Sequence, residues 1–133
     1  MAKKKKKPNR MRMYQVAGFG KDLVRRSKST CEVCSTKDSP LKPREVHPLP
    51  EEPHPDQCVF VCDDCHDGLE RPERIQPERW RFLVNSVWSE TPAVQVESIR
   101  MLRRLAGTQN WAQDTLDQVY VEPHVEDWVE NHD

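Results

Sequence analysis

Cys31-Glu32-Val33-Cys34 and Cys62-Asp63-Asp64-Cys65 are two C-x-x-C pairs separated by 27 residues. Two thiolates at this spacing fit one tight turn around a metal, and two such turns close a tetrahedral shell of four sulfurs, the donor set of a structural zinc site. The other chemistries open to such pairs are a disulfide, which a reducing compartment disfavours, and a redox C-x-x-C, which is usually single and sits at a strand-helix junction. The spacing therefore predicts one structural Zn²⁺ held by Cys31, Cys34, Cys62 and Cys65. The fifth cysteine, Cys58, lies four residues before a ligand and reads as a packed thiol.

The chain between the pairs explains why a metal is needed. Residues 35–57 contain six prolines, and their sizeable apolar side chains are Leu41, Val46 and Leu49. Small lobes below about 40 residues seldom order themselves without metals or disulfides. Zinc contributes roughly 10–16 kcal/mol to folding in peptides of this kind. Within this lobe, 41–47 and 57–62 read as short strands, and Asp63 and Asp64 suit the positive end of a helix opening at the second pair. Gly68 and Pro72 would stop that helix early. The path of the chain after Cys65 distinguishes a zinc ribbon of hairpins from a treble clef, and His66-Asp67-Gly68 fits either.

Outward from the lobe, the formal net charge of −1 over 133 residues hides a gradient. Lys3, Lys4, Lys5, Lys6, Lys7, Arg10 and Arg12 give residues 1–12 seven basic groups and no acid, whereas residues 112–133 carry seven acids and no Lys or Arg. A lysine block self-repels and stays disordered when free, so 1–12 reads as a basic tail. Its functional reading is a phosphate contact to nucleic acid without sequence preference, and its bland reading is a solubilising tail. The acidic end could meet a basic protein or another copy's tail. Residues 13–29 could form a helix weakened by Gly18 and Gly20, a lid over the metal lobe with Phe19, Leu23 and Val24 as its apolar face.

After a charged, proline-flanked connector at 70–77, the pattern turns helical from 78 to 133. Trp80, Leu83, Val84, Val87 and Trp88 recur at helical spacing, and Thr91-Pro92 opens a helix expected to end near a left-handed Gly107. Asn110 would cap a third helix, and Glu122-Pro123 would open a fourth. The four tryptophans of this half read as core anchors rather than stacking platforms, because nearby acids would repel phosphate. The expectation is a small α+β protein: a zinc ribbon or treble-clef lobe at 30–69, then a lobe of three to four helices. No apolar run approaches a membrane span and no signal sequence follows the lysines, so the expected location is cytoplasmic.

Two resemblances bear on function. Trp80-Arg81-Phe82-Leu83-Val84-Asn85-Ser86-Val87-Trp88-Ser89-Glu90-Thr91-Pro92-Ala93-Val94-Gln95-Val96, with Met101-Leu102 and Asn110-Trp111-Ala112-Gln113-Asp114, closely resembles the PhnA-type proteins, a family named for an alkylphosphonate operon that joins paired C-x-x-C motifs to this stretch. The resemblance spans about residues 22 to 130 and implies a zinc protein of this family. The closed four-cysteine shell leaves no place for an activated water, so the expected function is a non-catalytic zinc-binding protein that binds protein or nucleic acid. The metal lobe also resembles HNH-type zinc elements in Glu45-Val46-His47, in 56–61 and in Cys62-Asp63-Asp64-Cys65-His66. That resemblance implies a metal-dependent nuclease with His47 as general base and His66 as ligand to a catalytic ion. Gln57 in place of Asn, Val46 before the base and Pro48 after it depart from the nuclease pattern.

Overall fold

The computed structural model describes residues 10–132. Two short helices come first, α1 (Arg10–Ala17) and α2 (Gly20–Ser27). A β-hairpin follows, β1 (Leu41–Glu45) and β2 (Cys58–Cys62), paired antiparallel from Leu41 opposite Cys62 to Glu45 opposite Cys58. Helix α3 (Asp63–Glu70) continues directly from β2. Two 3₁₀ turns, Pro72–Arg74 and Pro77–Trp80, lead to α4 (Leu83–Ser86), α5 (Pro92–Leu105), α6 (Asn110–Gln118) and α7 (Pro123–Glu130).

The N-terminal segment departs from its expected boundaries. The helix begins at Arg10, inside the expected tail, and breaks between Ala17 and Gly20 into two pieces. Arg12 is also not a free phosphate contact. It is buried, and its guanidinium donates at 2.9 and 2.7 Å to the Glu45 carboxylate and at 2.8 Å to the Pro50 carbonyl. Burying a guanidinium is costly unless it is paired and hydrogen-bonded, so these contacts pin α1 to the hairpin. Lys3 to Lys7 lie outside the described residues.

The strand Cys58–Cys62 is buried on both faces. Val59 and Val61 join Val94, Ile99 and Leu102 of α5 in the main core, while Cys58 and Phe60 pack with Leu23 of α2. The expected lid is therefore α2, through Leu23; Val24 is exposed. Cys31, Cys62 and Cys65 belong to the same apolar cluster as Leu105, Val125 and Val129, so the metal lobe and the helical half share one core. Helix α5 is its axis and packs against β2, α4, α6 and α7.

Proline at the first helical position starts α5 and α7, where a missing N–H costs no hydrogen bond. The end of α5 differs from expectation: no glycine has positive φ among the described residues. The chain instead leaves through a turn in which the Thr108 and Gln109 amides both donate to the Leu105 carbonyl. Gly68 does not stop α3; it lies inside the helix, where a Cβ would collide with the Trp80 ring. Of the tryptophans, Trp80 is buried and Trp111 and Trp128 are half-buried, but Trp88 is 56% exposed and anchors no core.

Candidate metal centre

The hairpin brings the two C-x-x-C pairs together. Residues 31–34 form a turn in which the Ser35 amide donates to the Cys31 carbonyl at 2.9 Å and Ser35 takes φ 70°. This turn docks on β2 through the Glu32 amide and the Phe60 carbonyl, 2.9 Å apart. Cys62 ends β2 and caps α3, and Cys65 lies in the first turn of that helix. The ligand sulfurs of Cys31, Cys34, Cys62 and Cys65 all lie within 4.8 Å of one another. Those of Cys34 and Cys62 are 3.8 Å apart, matching the tetrahedral edge of about 3.8 Å that follows from a metal-sulfur bond near 2.3 Å.

Backbone amides complete the arrangement. The Cys34 and Cys62 amides point at Cys31 Sγ from 3.5 and 3.4 Å, a typical way to stabilise a ligating thiolate. A hydrogen bond from Cys65, helped by these amides, pulls the Cys31 pKa down to about 4. Burial pushes Cys34 up to about 12, and Cys65, donating to Cys31 and buried, is pushed up as well. Four thiolates cannot share this space without a cation, and a bound divalent ion supplies the charge that drives the remaining protons off. The residues fit a tetrathiolate metal site. It is the only group of three or more His, Cys, Asp or Glu side chains positioned to hold a metal among the described residues.

Glu32 and Arg26 support the site from outside, and motif spacing points to neither. Arg26 grips the Glu32 carboxylate at 2.8 and 2.7 Å and also donates to the Cys58 carbonyl at 2.8 Å. Glu32 Oε1 in turn accepts the Phe60 amide at 2.8 Å. The variable position of the first C-x-x-C thus bolts the turn to β2 and α2. The only signal for it in the sequence is opposite charge at a separation of six residues. Cys58 stays out of the shell, buried under α2, with its thiol pushed up to about 12 by that burial.

His47 and His66 share neither a hydrogen bond nor a ligand cluster. His47 is exposed after β1, joined to Pro48 by a cis peptide, and its carbonyl accepts the Trp128 indole N–H at 3.0 Å. His66 is half-buried on α3, where burial, with Lys42 and Arg44 nearby, holds its pKa below the ordinary histidine value.

Beside the metal centre an open cleft of about 620 Å³ runs between α3 and the 3₁₀ turns, with Cys34, Cys62 and Cys65 in its lining. No described helix is long and apolar enough to cross a membrane. Comparisons with family models, with curated proteins and with solved structures find no match.

Proposed function

We propose that the chain is a non-catalytic zinc protein in which one structural Zn²⁺ organises an interaction module. The observation that carries this reading is the closed set of four cysteine sulfurs within 4.8 Å of one another. Soft thiolates in a tetrahedral set select Zn²⁺ over hard cations, and four protein ligands leave no position for an activated water. A tight turn supplying two ligands, a hairpin, and a helix whose start supplies the others support a treble clef over a ribbon. Zn²⁺ here would neutralise and tie together the turn at 31–34 and the start of α3.

Nucleic acid is the partner that the lysines favour, because a cationic block gains affinity by releasing counterions from phosphates. The resemblance of residues 80–96 to PhnA-type proteins agrees with a zinc-binding protein. The cytoplasm suits free thiols of this kind.

The test pairs cutting with binding. Zinc-loaded chain is incubated with plasmid and Mg²⁺, Mn²⁺ or Ni²⁺, beside His47→Ala, and binding to nucleic acid is measured for both. Binding without cutting is expected. Cutting that disappears in His47→Ala would replace this reading with an HNH-like nuclease.

A further inference from the structure

The connector after α3 sorts its charges by direction. Arg71, Arg74 and Arg79 line the cleft beside the metal centre, whereas Glu70, Glu73 and Glu78 of the same stretch do not. Glu70 instead turns to Arg44, and Glu78 to Arg81. The three cleft guanidiniums make no ion pair or side-chain hydrogen bond with another described residue. Four arginines elsewhere are paired: Arg12 with Glu45, Arg26 with Glu32, Arg44 with Glu70 and Arg103 with Glu126. Guanidiniums that hold no ion pair on a concave wall are available to an anion.

The same cleft also carries acidic and aromatic side chains. Asp64 and Asp67 line it beside the cysteines. Arg71 follows Asp64 by seven residues and Asp67 by four, about 10 and 6 Å along the helix axis at 1.5 Å per residue. Phe82 forms the aromatic part of the wall, its ring centroid 5.0 Å from that of the buried Trp80. A ligand matching this lining offers an anion to the arginines, a flat apolar face to Phe82 and N–H donors to the aspartates. The cleft volume falls among those of small-molecule sites, about 300–1,000 Å³.

We propose that this cleft binds a nucleoside phosphate, free or as one unit of a single strand. The phosphate lies on Arg71, Arg74 and Arg79, the base lies against Phe82, and its exocyclic amine donates to Asp64 or Asp67. Guanidinium forks match phosphate oxygens, and aspartate accepts from the amine of cytosine. The inference rests on the interaction-module reading and moves the specific contact from the lysines to the connector.

The test uses the full chain and a labelled short oligodeoxycytidylate, with affinity measured across a salt series. The triple variant Arg71→Gln/Arg74→Gln/Arg79→Gln changes exposed side chains, so zinc content and circular dichroism should match the wild type. Binding should weaken at least about tenfold, and the log-log salt slope should fall by about 0.7, the share of the one single-strand phosphate contact that is lost. A full chain with Lys3 to Lys7 changed to Gln should still bind more tightly than the triple variant. Cytidine monophosphate that displaces the oligonucleotide and shifts the Trp80 indole resonance identifies the free nucleotide as ligand. Displacement by a longer strand alone identifies the strand.

Equal binding by wild type and the triple variant, with loss confined to the lysine variant, would overturn the cleft while leaving the interaction module standing. No binding by any chain would overturn both the cleft and nucleic acid as the module's partner. A phosphoserine peptide competing as well as cytidine monophosphate would overturn the nucleoside assignment.

Discussion

The Trp128 indole N–H donates to the His47 carbonyl at 3.0 Å, joining α7 to the end of β1 across 81 residues of chain. Around this bond the apolar cluster runs without interruption from Cys31 and Val59 to Val125 and Val129. The metal lobe and the helical half therefore stabilise each other. Chelation should perturb the tryptophans even though every one lies beyond Cys65 in sequence. Zinc contributes roughly 10–16 kcal/mol to such folds, against a total of about 5–15 kcal/mol for a domain. Tryptophan emission is expected to shift to the red together with loss of metal; emission that stayed constant would show two independent lobes.

Arg12 and Glu45 form a buried ion pair with side chains only 8% and 14% exposed. Removing one partner strands a desolvated charge, so Arg12→Ala should destabilise the chain by about 2–3 kcal/mol. Denaturant midpoints of the single and double variants measure it. A double variant no worse than either single variant is expected, and fully additive losses would deny the coupling.

Gly68 lets the Trp80 ring lie directly on α3. Gly68→Ala should cost about 1–3 kcal/mol through overpacking, although alanine is the better helix former. Adding Trp80→Leu should return part of the loss. Thermal melts of the two variants decide the matter, since a stabilising Gly68→Ala would mean that the ring does not rest there.

Glu97 is buried and 3.7 Å from Arg44. Burial outweighs the nearby arginines and raises its pKa above the ordinary carboxylate value. Ionisation therefore opposes folding: the penalty is absent below the unfolded-state pKa, grows as pH rises, and is complete above the folded-state pKa. Glu97→Gln should raise the melting temperature at neutral pH, with the gain vanishing as pH falls toward about 4. A gain that persisted in acid would assign the effect to packing instead.

Cys58 and Cys62 separate a spare thiol from a ligand. Cys58→Ala should keep the metal and lose about 1 kcal/mol from a small cavity. Cys62→Ser should lose the metal and the fold of the hairpin with it. Zinc content of the purified variants is the check, and metal loss from Cys58→Ala would place that thiol in the shell.

Much of this architecture could be read from local spacing. The paired C-x-x-C motifs, the proline starts at Pro92 and Pro123 and the strand at Cys58–Cys62 are patterns within a few residues, governed by turn geometry and periodicity. Long-range partners leave no such trace. Arg12 reads as one more charge of a basic block until Glu45, 33 residues away, is placed against it. Arg100 likewise closes the end of α7, donating to the Trp128 and Val129 carbonyls at 2.6 and 3.1 Å. Arg103 takes up Glu126 and Glu130, so part of the acidic C-terminal charge is answered inside the molecule rather than by a partner. Trp88 carries the same periodicity as its buried neighbours, and only the short, tight path of α4 turns it outward.

X-ray absorption at the zinc edge, on chain purified without added metal, tests the central claim most directly. One zinc per chain with four sulfur neighbours at about 2.3 Å is the predicted result. Nitrogen or oxygen in the shell, or a folded, metal-free chain with all its thiols reactive, would contradict it.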